Sequence, residues 1–493
     1  MTEYRKYRLL EIAPGAAAWF TIVAMIVVSI TAPIAAIYFI IAFDVYWVLR
    51  AIYFVFYLII AWFRFRGALK IDWFKKLQNE IPTWKDYYHL IFLPTYKEEE
   101  SVVRATFENL STTEYALDRF IIVLAGEEGD KDHFLQVAER IKETYGSRFK
   151  KLLITVHPRG LENEIPGKGS NLNYAGHVAE RVIKEMSIPY EKVIVSSFDI
   201  DTCAHPHYFA HLAYIYHTTP ERTRASYQPV ALYNNNIWQT SAILRLASFG
   251  TTFWLLTELT RPERLFTFSS HSMSFKALVD VGFWQKNIVS EDSRIFLQCF
   301  LRYGGDYRVV PMYVPVSMDT AKGEGFWDSL KNLYKQQRRW AWGVENLPFM
   351  IWHFRKHRSI PWTKKIVYLW NVTEGMYSWA VVPIMIFFLG RLPLYFAPEY
   401  ARASAFYQNA PFTLETLMNL AMTGLFVSAL LSLLLLPPRP QTVSKSAYLF
   451  MILQWILLPV STILFGSIPA LDAQTRLMLG KYLGFYVAKK VRS

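Results

Sequence analysis

Cysteine is nearly absent from this sequence: Cys203 and Cys299 are the two in 493 residues. Two thiols cannot build a disulfide framework or a cysteine zinc site, and they read as reduced thiols in a packed interior. Charge is scarce as well, at 19% of residues against 53% hydrophobic, less than an ordinary soluble chain carries. Acids are the rarer sign, 40 against 53 lysines and arginines, for a formal net charge of +13. No nucleic-acid module accompanies that excess, so DNA and RNA are excluded as partners. The basic residues instead flank apolar runs. Arg5, Lys6 and Arg8 precede the first, Arg64, Arg66, Lys70, Lys75 and Lys76 follow the second, and Arg355, Lys356, Arg358, Lys364 and Lys365 precede the third. Membrane segments with cytosolic basic ends carry charge this way. The histidines His205, His207, His211 and His217 lack a carboxylate or cysteine to complete a zinc site. The glycosylation patterns at Asn109 and Asn371 read as chance matches on the cytosolic side.

The apolar excess collects at the two ends of the chain. Residues 19–43 form an uncharged run long enough to cross a bilayer, and Asp44 separates it from a second run at 45–63. Two spans return the chain to the cytosolic side, which predicts an N-terminal membrane unit over 1–70. Apolar runs recur at 366–389, with Pro383 as a kink, at 414–436 and at 447–465. Three spans would leave the C-terminus outside, yet Lys481, Lys489, Lys490 and Arg492 favour the inside. Pro459, Gly466 and Pro469 offer a way out, because they would let the last run turn back as a re-entrant element. Segments 71–84 and 346–365 mix tryptophan with lysine and arginine and suit helices in the headgroup layer, or helices packed on the soluble domain. Membrane lipids are thus expected partners, and a plasma membrane is the simplest location for a chain without an evident retention signal.

Between these ends, residues 85–345 alternate short β-rich runs with amphipathic helices. Strands are predicted at 89–93, 120–124, 152–156 and 193–197, and helices at 98–110, 131–145 and 170–186. That alternation predicts an α/β domain with a mostly parallel, Rossmann-like sheet, in which ligands bind beyond the carboxyl ends of the strands. Acidic residues stand there: Glu98 and Glu99 after the first strand, Glu127 and Glu128 after the second, Asp199 and Asp201 after the fourth. Acids after a strand are often helix caps, which is the competing reading for Glu98 and Glu99. Asp199 and Asp201 alternate across a strand end, and such a pair can hold a hard divalent ion that completes its shell with phosphate oxygens.

Five motifs occur in order: Pro94-Thr95-Tyr96, Lys168-Gly169-Ser170-Asn171-Leu172-Asn173, Asp199-Ile200-Asp201, Ser290-Glu291-Asp292 and Gln336-Gln337-Arg338-Arg339-Trp340. Together they resemble the family-two inverting membrane glycosyltransferases, and more narrowly the cellulose, chitin and hyaluronan synthase group. The resemblance implies a glycosyltransferase-A-like fold and a nucleotide-sugar donor, UDP-linked by preference. It implies that Thr95 and Tyr96 contact the base, that Glu98, Glu127, Lys168, Asn173, Asp199, Gln336 and Arg339 hold the donor, and that Asp199 and Asp201 ligate Mg²⁺ or Mn²⁺. Asp292 is implied as the general base, with His271, Glu291 and Trp340 toward the acceptor. The chain departs from the group after the second strand, where the usual aspartate is replaced by Gly126-Glu127-Glu128-Gly129-Asp130, so that either Glu127 or Asp130 would meet the base. Lys97 also stands where asparagine is common. Three functions stay open on the sequence: a polysaccharide synthase that exports its product, a single-addition transferase acting on a lipid, and an inactive scaffold or transporter.

Overall fold

The computed structural model describes residues 2–484; Lys489, Lys490 and Arg492 of the basic tail lie outside the described residues. Two long helices open the chain, α1 (Glu3–Thr31) and α2 (Pro33–Ala68). Their break falls at Ala32 and not at Asp44, where the charge pattern places it. Pro33 explains the difference: it has no N–H to donate, and its fixed φ suits the first turn of a helix. Asp44 therefore lies inside α2, where it faces a large cavity. A span tolerates a carboxylate in that setting and not against lipid. α3 (Trp73–Glu80) starts on Asp72, whose side chain accepts from Lys75 N. Trp73 and Leu77 then pack into the core of the α/β domain.

That domain opens as the periodicity predicts, with β1 (Tyr88–Pro94), α4 (Glu100–Ser111), β2 (Phe120–Glu127), α5 (Lys131–Tyr145), β3 (Lys151–His157), α6 (Lys168–Glu185) and β4 (Val193–Ser197). These strands are parallel in the order β3-β2-β1-β4. Leu90 to Leu93 and Ile121 to Leu124 are fully buried, as expected of strands covered on both faces, and each large side chain contributes about 1.5–3 kcal/mol of burial energy. The chain continues through β5 (Cys203–Ala204), α7 (Tyr208–Thr218), β6 (Ala225–Leu232), α8 (Ala242–Leu259), β7 (Ser272–Ser274), α9 (Phe275–Asp280), α10 (Glu291–Arg302) and β8 (Arg308–Ser317). Here the sheet becomes mixed: β7 runs antiparallel to β4 and β6, β8 is parallel to β6, and β5 is antiparallel to β8. β7 has three residues, too few to show a period in sequence. Both cysteines are free thiols, Cys299 buried and Cys203 half-buried.

After the sheet come α11 (Phe326–Ala341), α12 (Asn346–Lys356), α13 (Trp362–Ile384), α14 (Leu392–Phe396), α15 (Glu399–Arg402), α16 (Ala405–Leu434), α17 (Ala447–Leu453), α18 (Leu458–Thr462) and α19 (Ile468–Met478). Pro383 stands in the last turn of α13, and the backbone widens into a π turn over Met385–Leu389. Among the described residues, five helical stretches are long and apolar enough to cross a membrane: Glu3–Thr31, Pro33–Ala68, Trp362–Phe396, Ala405–Leu434 and Ala447–Met478. The fifth touches the α/β domain at several points along its length. Tyr448 packs on Trp238, Arg245 Nε donates to Gln454 Oε1 at 2.7 Å, and Arg338 Nη1 donates to Asp472 Oδ2 at 2.9 Å. Its last turn meets the first half of α1 and Trp19 near the helix middle: Trp19 Nε1 donates to Thr475 Oγ1 at 2.8 Å and Arg8 donates to the Leu477 and Met478 carbonyls.

Candidate active site

The loops beyond β1, β2 and β4 meet the starts of α6 and α10 and the end of α11 around one continuous cavity of 2040 Å³. Thr95, Tyr96, Glu98, Glu127, Lys168, Asp199, Asp201, Glu291, Asp292, Gln336, Arg339 and Trp340 all line it. Of the residues singled out in sequence, Asn173 and His271 do not. Asn173 Nδ2 donates to the Trp284 carbonyl at 2.8 Å, so its amide secures the loop before α10. Asn171, two positions earlier and half a helical turn round, lines the cavity instead and donates to the Ala125 carbonyl at 3.1 Å. His271 is fully buried, with Nδ1 against the Phe268 carbonyl at 2.9 Å and 3.8 Å from Asp292 Oδ1. Burial holds its imidazole below the ordinary histidine value. It backs Asp292, while Phe268 and Ser269 face the space.

Lys168 is the electrostatic centre. Its Nζ lies 2.9 Å from Asp199 Oδ1, 2.9 Å from Asp292 Oδ2 and 3.8 Å from Glu291 Oε1. Burial alone would lower the ammonium, but the carboxylates of Asp199, Asp292 and Glu291 hold it above its ordinary value. Glu291, fully buried, is pushed upward first by burial and then by the Asp292 charge beside it. Burial thus favours the protonated form of Glu291 at this helix start.

Asp199 is further tied by Ser269 Oγ, which donates to Oδ2 at 2.6 Å. Asp201 lies deeper, its Oδ2 accepting from Asp319 N at 2.8 Å, and Asn235 Nδ2 bridges the Asp201 carbonyl and Asp319 Oδ1. The donor set at this end is hard carboxylate oxygen opening on a cavity, which fits Mg²⁺ or Mn²⁺ and not a softer ion. Asp319 was not singled out in sequence, and Ser269 belongs to the segment 269–272 that the resemblance places in the acceptor-facing loop. Asp319 follows β8 as Asp199 follows β4, so the strand-end rule would find it once β8 is recognised. Tyr233, just past β6, packs on Trp340 with ring centroids 5.6 Å apart. Burial, then the charges of Asp199 and Asp201, raises its phenol.

At the other side of the same end, Thr95 Oγ1 donates to Glu98 Oε2 at 2.8 Å, and Tyr96 N donates to the same oxygen. Glu98 therefore closes the loop on itself. Asp130 accepts from Lys97 N at 2.8 Å and sits 3.0 Å from His133 Nδ1. It thereby serves the turn where Lys97 adopts a positive φ of 63°. Of the two candidates in this loop, Glu127 alone lines the cavity. Away from the cavity, His207 does find carboxylates: it, Asp72 and Glu114 bring ligand atoms within 4.8 Å of one another.

Beyond Trp340 the cavity continues between α2, α13, α16 and α18. Its walls there are mostly apolar, with Trp47, Trp254, Trp379, Phe387, Leu417 and Ile456 among them. Two ion pairs stand in this part: Arg50 Nη2 lies 2.8 Å from Glu374 Oε1, and Arg264 pairs with Glu258; Asp44 and Arg391 line it as well.

Residues 194–468, more than half of the chain, match the family model described as glycosyl transferase family group 2. The match starts inside β4 and takes in Asp199, Asp201, Asp292, Arg339 and the later apolar helices. Among solved structures, the mannosyltransferase PcManGT from Pyrobaculum calidifontis in complex with GDP-Man and Mn²⁺ is similar at 17% identity and a TM-score of 0.45, over 80% of this chain and 99% of that one. TarS 1–349 of S. aureus in complex with UDP-GlcNAc is similar at 14% identity and a TM-score of 0.33, over 68% of this chain and 90% of that one. No curated protein sequence matches the chain.

Proposed function

The chain belongs to glycosyl transferase family group 2, and from that membership we propose that it is an inverting transferase that moves a sugar from a nucleoside-diphosphate donor to a growing glycan. One observation carries this reading. The groups that transfer chemistry requires surround one end of a cavity whose other end runs between apolar helices long enough to span a membrane. An elongated product fits that shape.

Displacement at the anomeric carbon needs a base on the acceptor side and positive charge on the leaving side. Asp292 takes the proton of the incoming hydroxyl as its oxygen bonds to the anomeric carbon. The bond from that carbon to the diphosphate breaks, and the electron pair leaves with the phosphate oxygen. Arg339 offers a planar fork to the diphosphate, and Lys168 a point charge. Asp199 and Asp201 would hold Mg²⁺ or Mn²⁺, which when bound neutralises the departing diphosphate. Lys168 also couples the steps: it engages Asp292 before the donor arrives, and an anionic diphosphate draws it away, so the base is released only with donor in place. Trp340, braced by Tyr233, gives an apolar face for the acceptor sugar.

The test is product size. Purified protein supplied with a panel of nucleotide sugars and Mn²⁺ is expected to yield long glycans. A second reading is favoured by the apolar walls of the membrane part of the cavity, which suit a lipid-borne acceptor receiving one sugar. Mass spectrometry that finds only singly glycosylated lipid selects it.

The arrangement in the membrane follows the same logic. α1, α2, α13 with α14, and α16 are the crossings. Ala447–Met478 lies back along the face of the α/β domain, held by Trp238, Arg245 and Arg338. An even number of crossings places both termini on the cytosolic side with the active site, in keeping with the basic residues at both ends. Single cysteines introduced after Cys203 and Cys299 are removed would check this. A residue near 480 that reacts with an impermeant thiol reagent in intact cells would overturn it.

A further inference from the structure

Three clusters outside the transfer machinery invite a function: the Asp72, Glu114 and His207 group on the surface, the paired charges in the membrane part of the cavity, and a buried histidine behind the nucleotide end. The third is carried furthest by the geometry. β2 and β3 pair in register up to their last residues, Glu127 and His157. His157 is 2% exposed and does not line the cavity. Its Nδ1 lies 2.9 Å from Glu127 Oε2 and its Nε2 lies 2.9 Å from Glu164 Oε1, while Glu164 Oε2 faces Lys286 Nζ at 3.6 Å. The ring of Tyr174 on α6 closes the remaining side, 5.6 Å away. Signs alternate along this row, so each charge is compensated although the row is mostly buried.

The consequence falls on Glu127. One of its oxygens is engaged by the imidazole, and among the described residues no hydrogen bond reaches the other, so that oxygen is available to the cavity. Burial alone would lower the His157 imidazolium, but Glu127 and Glu164 hold it above its ordinary value. The imidazole in turn fixes Glu127 in one rotamer through the contact to Oε2. Across the gap stands Arg159, whose guanidinium lies so close over Gly129 that a Cβ there would sit 2.0 Å from Nη2. Glu127, Tyr96 and Arg159 line the same end of the cavity.

We propose that His157 is the positioning residue that sets how Glu127 meets the donor. By occupying one carboxylate oxygen it leaves a single acceptor for a nucleobase N–H. Uracil presents one such donor flanked by carbonyls. Guanine presents two adjacent donors, which match a carboxylate with both oxygens open. The device thus selects a uridine donor over a guanosine one. This rests on the donor reading given above.

Calorimetric titration of the full-length protein in detergent with UDP and with GDP, in the presence of Mn²⁺, tests both layers. The unaltered protein is expected to bind UDP more tightly. His157→Ala should weaken UDP about tenfold, the size of one lost charge-assisted hydrogen bond, and leave GDP binding unchanged or tighter, since both Glu127 oxygens are then open. His157→Asn keeps an N–H at the Nδ1 position and should recover UDP affinity to within about threefold. With a UDP-sugar in turnover, the alanine variant should raise KM and leave kcat nearly unchanged. Should the alanine variant not purify folded, Glu164→Gln carries the test, with UDP weakened about threefold and GDP unaltered. Equal loss of both nucleotides, or no loss, overturns the inference, as does tighter binding of GDP by the unaltered protein. Binding of neither nucleotide by the unaltered protein removes the donor reading itself.

Discussion

The two ends of the cavity solve opposite electrostatic problems. At the sheet edge, Lys168 stands among three carboxylates within 3.8 Å, and Asp201 is buried against Asp319 N. Charge is concentrated there, and its groups are held in place by each other. In the membrane half, the charges Arg50, Glu374, Arg264 and Glu258 stand in isolated pairs on an apolar wall. A dense, cross-braced set is pre-organised to stabilise charge that develops during reaction, whereas sparse pairs can offer polar contacts to a passing hydroxyl without trapping it. On the proposed reading, the contrast divides one continuous space into a reaction centre and a path by charge density and not by a wall.

The largest effect should come from the dense end. Asp292→Asn is expected to reduce transfer by about a thousandfold, within the span usual for loss of a general base, while UDP titration stays within about twofold. Retained turnover would take Asp292 out of the base role and remove the chemical half of the comparison. A smaller effect is expected at the sparse end. Glu374→Gln keeps the shape but leaves Arg50 facing a neutral partner, and it should shorten products or slow turnover about tenfold at constant donor KM. Electrophoretic sizing of the product reads this. If donor KM moved instead, the two ends would be one binding site. The smallest effect concerns Glu291. Its folded carboxyl is held above the ordinary range by burial and by Asp292, so the folded state binds a proton the unfolded state has released. Stability from this group is complete at acid pH and falls as pH rises from the ordinary carboxylate range through the raised folded value. Glu291→Gln mimics the protonated form and should flatten that fall. Thermal melts of both proteins at pH 5 and pH 8 are expected to diverge by a few degrees at the higher pH. Parallel melts would mean that Glu291 is ionised in the fold.

Much of this was legible in the chain. The strands at 88–94, 120–127, 151–157 and 193–197 carry continuous apolar runs, so their existence follows from composition and period. β7 and β5 do not, because two or three residues have no period and form only where neighbouring strands offer edges. The chemical motifs were visible as spaced residue types. Asn173 and His271 were assigned by motif position, and the fold turns both away from the cavity, since a helix offers one face and β7 starts immediately after His271. The apolar runs were legible as hydrophobic, but where they break was not: Pro33 outweighs Asp44, because a missing backbone donor ends a helix and a side-chain charge need only find a polar cavity.

By itself, then, the sequence determined the α/β alternation at the start of the domain, the basic-flanked apolar ends, and the order of the acidic and Gln-Arg-Trp motifs, all of which are local properties of residue type and spacing. Only the tertiary structure decided which acids share a space, that Lys168 binds Asp292 across 124 positions of chain, that Glu127 and not Asp130 faces the cavity, and that Ala447–Met478 touches Trp238, Arg245 and Arg338. Those outcomes depend on contacts between residues far apart in the chain, whose energies arise from burial and charge pairing that no local window contains.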